Sequence, residues 1–310
     1  MNLIKIKSYC ILIILFLFSN EIPAQDTTGA KISFFENATE YSPSRARAFV
    51  IGSAGLYVGS MTTLYTIWYQ NTPRSSFHLF NDNREWMQID KAGHVITSYY
   101  LGKTAYKLMK WSGYSENSAL WYGGNVGLLI LSTIEVFDGF SDEWGFSVGD
   151  MAANVSGSAL FIGQQQMWNE QRIILKYSFH QTDFAQHRPN ILGKDLKEQL
   201  LKDYNGHTYW LSANISSFIK RENNFPKWIN IAAGYGAEGM TGGFENISDA
   251  APAFERYRQY YLSLDVDLSR IPMKKGLAKS ILSTINFIKI PFPAVEFNSK
   301  GDVNFHPFYF

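Results

Sequence analysis

Three pairs of polar residues have types and spacings that suit chemistry. Asp90 and His94 stand four apart in Asp-Lys-Ala-Gly-His, Glu135 and Asp138 three apart in Glu-Val-Phe-Asp, and Asp150 and Asn154 four apart in Asp-Met-Ala-Ala-Asn. Spacings of three and four place both members of a pair on one helical face. Apolar or small residues surround all three, and a carboxylate within an apolar helix is costly unless paired. The groups are therefore expected to face one another, Lys91, or a bound cation. Oxygen ligands with one imidazole suit Zn²⁺, Mn²⁺ or Mg²⁺. One reading thus gives Asp90, His94, Glu135 and Asp138 a divalent metal ion, with Asp150 as catalytic base. The other makes Asp90, Lys91, His94, Glu135, Asp138, Asp150 and Asn154 a structural salt-bridge network.

Local roles compete with both. Asp90 suits a helix N-cap, and Asp138-Gly139 suits a helix end with a left-handed glycine. Ser147-Val-Gly-Asp150 fits a capping box with Ser147 as cap and Asp150 at the third helical position. Capping explains neither Glu135, which follows an uncharged run, nor His94, among glycine and β-branched residues. Removing Glu135 is accordingly expected to cost more stability than removing Asp150.

Helices must carry these groups. The runs Ala48 to Thr72, Asn117 to Ile134 and Met151 to Asn169 hold no Asp, Glu, Lys or Arg, and a more amphipathic helix is expected from Asp90 to Trp111. Gly55-x-x-x-Gly59 gives the first run a small-residue face for tight packing, and Gly123 and Gly127 do the same for the second. At about 1.5 Å per residue such runs are long enough to cross a bilayer. Their Ser, Thr, Asn and Gln content equally suits an apolar soluble bundle, and both readings stand.

Beyond residue 170 the pattern changes. A short helix is expected at Lys194 to Tyr204. In Tyr260 to Leu268 apolar and polar residues alternate with a period of two, which predicts a strand. Tyr209 to Ile219, Trp228 to Tyr235 and Ala294 to Phe310 are further strand candidates, although Pro307 weakens the last. Lys274 to Phe287 reads as a helix, and the glycine-rich stretch Gly234 to Gly243 as a loop. A terminal aromatic such as Phe310 on an amphipathic strand is what outer-membrane barrels present to their assembly machinery. Too few alternating segments are visible for a full barrel, so an ordinary buried last strand is expected. His78, His180, His187, His207 and His306 have no partner at ligand spacing and read as surface or loop residues.

Lys5 and Lys7, the apolar run from Cys10 to Phe18 and Ile22-Pro23-Ala24 have the order of a secretory signal cleaved before Gln25. A lipoprotein signal would carry a Leu-type residue three before Cys10, where Lys7 stands, so lipidation is disfavoured. Cys10 is the only cysteine, which leaves the expected mature chain without disulfides or a thiolate nucleophile. Charged residues make up 18% of the chain against about 25% in soluble proteins, which leaves much apolar surface. The formal charge of +1 supplies no basic field for nucleic acid. No Gly-x-Ser-x-Gly elbow, Walker loop, His-Glu-x-x-His or dinucleotide fingerprint is present.

The segment Asp90-Lys-Ala-Gly-His94, then Glu135-Val-Phe-Asp138, then Gly145-Phe-Ser-Val-Gly-Asp150-Met-Ala-Ala-Asn154-Val-Ser-Gly157 resembles the YfiM-type family of predicted periplasmic lipoproteins of unknown function. The resemblance covers roughly residues 86 to 168, and the Asp-Lys-x-x-His helix is also similar to that of VanZ-like membrane proteins. Two departures stand out: the lipobox cysteine is missing, and Asn154 stands where an Asp is expected. The resemblance implies an envelope location and a helical bundle, and no reaction.

The sequence thus predicts an α+β protein with a signal peptide (1–24), a polar tether (25–47), an apolar helical bundle (48–170), a linker with a short helix (171–204) and a strand-rich C-terminal region (205–310). The expected setting is the cell envelope of a bacterium with an outer membrane, in the periplasm or at the outer membrane. The membrane is the expected partner, and a protein partner is not specified. The leading function is a non-enzymatic structural or interaction role. The alternative is a membrane-associated, metal-dependent hydrolase acting on a phospholipid or related headgroup.

Overall fold

The computed structural model describes residues 33–219, 225–246, 253–274 and 276–310. The expected signal peptide, its cleavage site, Cys10 and residues 25–32 of the tether lie outside the described residues. The fold is α+β, with helices in the N-terminal half and a six-stranded antiparallel sheet after them.

The helices are α1 (Pro43–Leu64, continued by a π turn at Tyr65–Tyr69), α2 (Ile89–Trp111), α3 (Val126–Asp138) and α4 (Val148–Trp168). Glycines set how closely the last three approach. A Cβ on Gly127 would stand 2.1 Å from the carbonyl oxygen of Ser98, and one on Gly157 2.2 Å from that of Val95. Backbone thus packs on backbone, as the small residues predict. Ile96, Tyr99, Leu120, Phe161, Ile162 and Leu175 form the core between bundle and sheet.

α1 departs from expectation. Its Gly52, Gly55 and Gly59 have no neighbours where a Cβ would go, so the small-residue face packs against nothing among the described residues. Only Ala46 and Phe49 of this helix are buried, Phe49 in a cluster with Ala105, Met109 and Ala119. Residues 33–42 are no loose tether. Trp111 Nε1 donates to Phe34 O at 2.7 Å, the Ser42 amide donates to Ser112 O at 2.9 Å, and the Arg45 guanidinium lies over the Trp111 ring. Two stretches, Pro43–Tyr69 and Glu116–Asp138, are long and apolar enough to cross a membrane.

The sheet is a meander of β3 (Ile173–Phe179), β4 (His207–Asn214), β5 (Ile229–Glu238), β6 (Tyr257–Val266), β7 (Phe292–Asn298) and β8 (Val303–Tyr309), and a small parallel pair joins β1 (Leu79–Phe80) to β2 (Phe146–Ser147). The meander curls until its inner faces touch: Thr208 Oγ1 on β4 is 2.9 Å from the Tyr309 hydroxyl on β8. The free edge of β3 is covered by the chain after α5 (Leu277–Ile285), where the Tyr177 amide donates to Phe287 O and that of Lys289 to Tyr177 O.

Several expectations change. β3 lies in the segment read as a linker, its pattern masked by Lys176 among apolar residues. Ala294 to Phe310 is two strands joined through Gly301, whose φ of +95° suits the turn. Pro307 sits on β8, an edge strand, where its missing N–H is tolerated. The last strand is not an ordinary buried one, since Phe308 is 81% exposed and only Tyr309 is buried. The stretch Gly234 to Gly243 begins as strand rather than loop, and Gly234 lets β5 pass 2.7 Å from the Trp210 ring, measured from where its Cβ would be.

Candidate functional site

The start of α2, the end of α3 and the start of α4 meet, and β1–β2 brings a fourth segment to them. Pairing of Phe80 with Ser147 sets Asp82 beside the entrance to α4. Ser147 then serves both neighbours. Its Oγ accepts from the Asp150 amide at 3.0 Å, which is the expected cap, and donates to Asp82 Oδ1 at 2.5 Å.

The chain enters α2 through an unusual turn. Trp86, Met87 and Gln88 all have positive φ, of 44°, 51° and 67°. Left-handed geometry costs an L-residue about 1–2 kcal/mol, so the surroundings must hold it. The Trp86 amide donates to Gly243 O at 2.9 Å, the Tyr235 hydroxyl to Met87 O, and Arg258 Nη2 to Gln88 Oε1 at 2.8 Å. The end of the sheet thus clamps the start of the site. Gln88 is the cap position, and Asp90, expected there, is the second residue of the helix with its side chain free for Lys91. Gly139 ends α3 with φ of −56°, not left-handed; a Cβ there would fall 2.4 Å from the Phe77 ring.

Lys91 is the centre. Its Nζ lies 2.7 Å from Asp82 Oδ2, 2.8 Å from Asp150 Oδ1 and 2.9 Å from Asp90 Oδ2. Three carboxylates thus surround one ammonium at ion-pair distance, and its hydrogen bond goes to Asp90 Oδ2. Asp82 was missed because Asn-Asp-Asn reads as a turn with no helical spacing to Asp90. His94 faces the other side. Its Nδ1 is 3.0 Å from Asn154 Oδ1 and 3.9 Å from Glu135 Oε1, and its Nε2 is 3.7 Å from Asp150 Oδ1. Glu135 is 2% exposed and accepts the Ser147 amide at 3.3 Å. Asp138 turns away to accept the Tyr69 hydroxyl at 2.5 Å, a partner the sequence did not suggest.

The surplus of acid shifts protons. Burial, helped by the charges of Asp150 and Asp138, pushes Glu135 up to about 8. Burial likewise raises Asp138 to about 6 and Asp150 to about 6, and with Asp90 and Asp82 nearby it raises Glu85 to about 7. Asp90 is raised by burial despite Lys91. At Asp82 burial is outweighed by hydrogen bonds with Asp150, Lys91 and Ser147, so it stays below the ordinary carboxylate range. Lys91 is raised, since the surrounding carboxylates overcome its burial.

The residues expected to share one cation fall into two groups. Ligand atoms of His94, Glu135 and Asp150 lie within 4.8 Å of one another, and so do those of Asp82, Asp90 and Asp150. The second group already surrounds the Lys91 ammonium. Asp138 belongs to neither, and its Oδ1 accepts from Tyr69. The first group is the one not already filled by an ammonium, and it sits beside the fully buried Asn154, whose Oδ1 is 3.0 Å from His94 Nδ1.

One of the other histidines is not a surface residue, and another, part-exposed, has a partner. His207 is buried, and burial pulls it down to about 4. His306 Nε2 lies 2.8 Å from Glu296 Oε2 on the inner side of the sheet. Both lie on strands, away from the helical spacings that mark ligand sets.

Residues 79–163, which contain this site, match the family model described as predicted periplasmic lipoprotein (DUF2279). That description agrees with the cell-envelope location read from the sequence. No curated protein and no solved structure matches the chain.

Proposed function

We propose that the protein is a non-enzymatic, membrane-associated envelope protein whose acidic, Lys and His cluster locks the helical bundle to the segment that carries it onto the sheet. The observation that carries this reading is Lys91, whose three short ion pairs join the start of α2, the start of α4 and the chain after β1. Replacing Lys91 by Met leaves three buried carboxylates facing one another. Loss of one partner of a buried charge pair costs about 3 to 5 kcal/mol. Thermal melts of Lys91→Met test this, and an unchanged melting temperature would remove the locking role.

A metal-dependent hydrolase acting on a phospholipid or related headgroup is the second reading. It is favoured by the juxtaposition of His94, Glu135 and Asp150, whose ligand atoms lie within 4.8 Å of one another. A divalent ion held by His94, Glu135 and Asp150 would polarise a phosphoryl oxygen or activate water. Metal analysis of the purified protein beside His94→Ala separates the readings. Stoichiometric metal lost in the variant supports the hydrolase, and metal-free protein of unchanged stability supports the lock.

A further inference from the structure

We propose that the outer face of the C-terminal sheet, together with α5, is a membrane-docking surface that takes lipid acyl chains and sets anionic headgroups against the end of the sheet where β6 leads to α5. The proposal rests on the membrane-associated reading above and is independent of what the acidic cluster does.

The sheet's polarity is inverted. An antiparallel sheet facing water turns polar residues outward and apolar ones to the core. Here one cross-strand row, Leu211, Ala233, Leu262, Val295 and Phe305, points outward, and its Leu211, Leu262 and Phe305 are exposed. The inner side instead holds Lys176, Asp265 and Lys289 at 0–1% exposure. Apolar outside and polar inside is the pattern lipid imposes on strands. β5 and β6 have ten residues each, the length that strands use to cross the hydrocarbon layer.

α5 continues the surface. Leu277, Ile281 and Ile285 fall at i, i+4 and i+8 and are all exposed, as an interfacial helix requires. Lys279 Nζ anchors the helix by donating to Ser269 O and Ile271 O.

The charge at this end complements a phosphate layer. Among the described residues, Lys107, Lys274 and Lys279 have no carboxylate partner at ion-pair distance, whereas Lys103 lies over the Tyr99 and Tyr100 rings and is pulled down to about 7 by burial. Lys107 Nζ donates to Ser283 Oγ at 3.1 Å, which places it beside α5. The carboxylates nearby are neutralised: Asp267 pairs with Arg270, and Glu170 with Arg270 and Arg172. The unpaired charge at this end is therefore cationic, and each such residue near an anionic membrane favours binding.

The test uses the full chain with Cys10→Ser and a single cysteine placed by Leu262→Cys, Ile281→Cys or, as a polar control, Asp183→Cys, labelled with an environment-sensitive fluorophore. The probe is vesicles of phosphatidylethanolamine and phosphatidylglycerol, with and without brominated acyl chains. Flotation is expected, with blue-shifted and bromine-quenched labels at 262 and 281 and an unquenched label at 183. Lys107→Glu with Lys274→Glu is expected to weaken binding to phosphatidylglycerol vesicles at least about tenfold. Failure to float would end both this proposal and the membrane-associated reading. Flotation with unquenched labels at 262 and 281 would leave membrane association standing through another surface, such as α1, and overturn the proposal. Burial of these labels in a lipid-independent dimer would give the face to a second copy and overturn it as well. Unchanged binding of the double charge variant would overturn the headgroup contact.

Discussion

The two buried charge clusters are built on opposite balances. In the sheet, Lys176 and Lys289 share Asp265, and each lysine also has neutral acceptors in reach: Lys176 Nζ donates to Val266 O, and Lys289 Nζ to Leu264 O, Ile290 O and Ser263 Oγ. Burial pulls Lys289 down to about 8 and lowers Lys176. Around Lys91 carboxyl groups outnumber cations, several are pushed up, and the Asn154 amide nitrogen is left without a partner. The first cluster is closed and fills a narrow interior. The second retains capacity for a proton or a cation, which is why chemistry was read from it in the sequence.

The largest effect is expected in the sheet. Asp265→Ala leaves two fully buried lysines without a carboxylate and should cost about 3 to 5 kcal/mol, measured by urea melts. A smaller loss would show that the carbonyl acceptors suffice.

In the bundle, Asp150→Ala should cost more than Glu135→Ala, about 1 to 3 kcal/mol against less than about 1. This reverses the order expected from the sequence. Asp150 holds one of the three Lys91 contacts, whereas Glu135 is a carboxyl already disposed to keep its proton, with one long bond from the Ser147 amide. Equal melting points would erase the distinction.

The pH dependence follows from Glu135. Its folded value, about 8, lies above its ordinary 4.5, so folding favours the protonated form. The stability it contributes is fully present below 4.5 and is lost as pH rises through about 8. Glu135→Gln, which stays neutral, should flatten the decline between those values, and melts from pH 5 to 9 check this. Ser147→Ala removes the α4 cap and should cost about 0.5 to 2 kcal/mol, measured by the same melts.

Much of this was legible because helices repeat. The spacing of Asp90 with His94 and the capping box at Ser147 placed those residues at the helix ends that meet, whereas Asp138, paired with Glu135 by spacing, turns away to Tyr69. Asp82 and Tyr69 escaped because they reach the site through tertiary contacts, a two-residue strand pair in one case and the end of α1 in the other. β6 showed its alternation clearly, but which side faced inward was not readable. Alternation assigns two faces and leaves their environments open, and only Lys176, Asp265 and Lys289 at the centre reveal the inversion. The glycines of α1 misled for a related reason, since small-residue spacing permits close packing without supplying the partner.

The most direct measurement is a double-mutant cycle between Lys91→Met and Asp150→Asn, followed by thermal or urea melts of the four proteins. If Lys91 locks the bundle, the double variant should be more stable than the sum of the single losses predicts, with a coupling of about 1 to 3 kcal/mol. Additive losses, with a melting temperature that instead rises on adding Zn²⁺, Mn²⁺ or Mg²⁺ and falls with a chelator, would contradict the lock and leave the cluster as a metal centre.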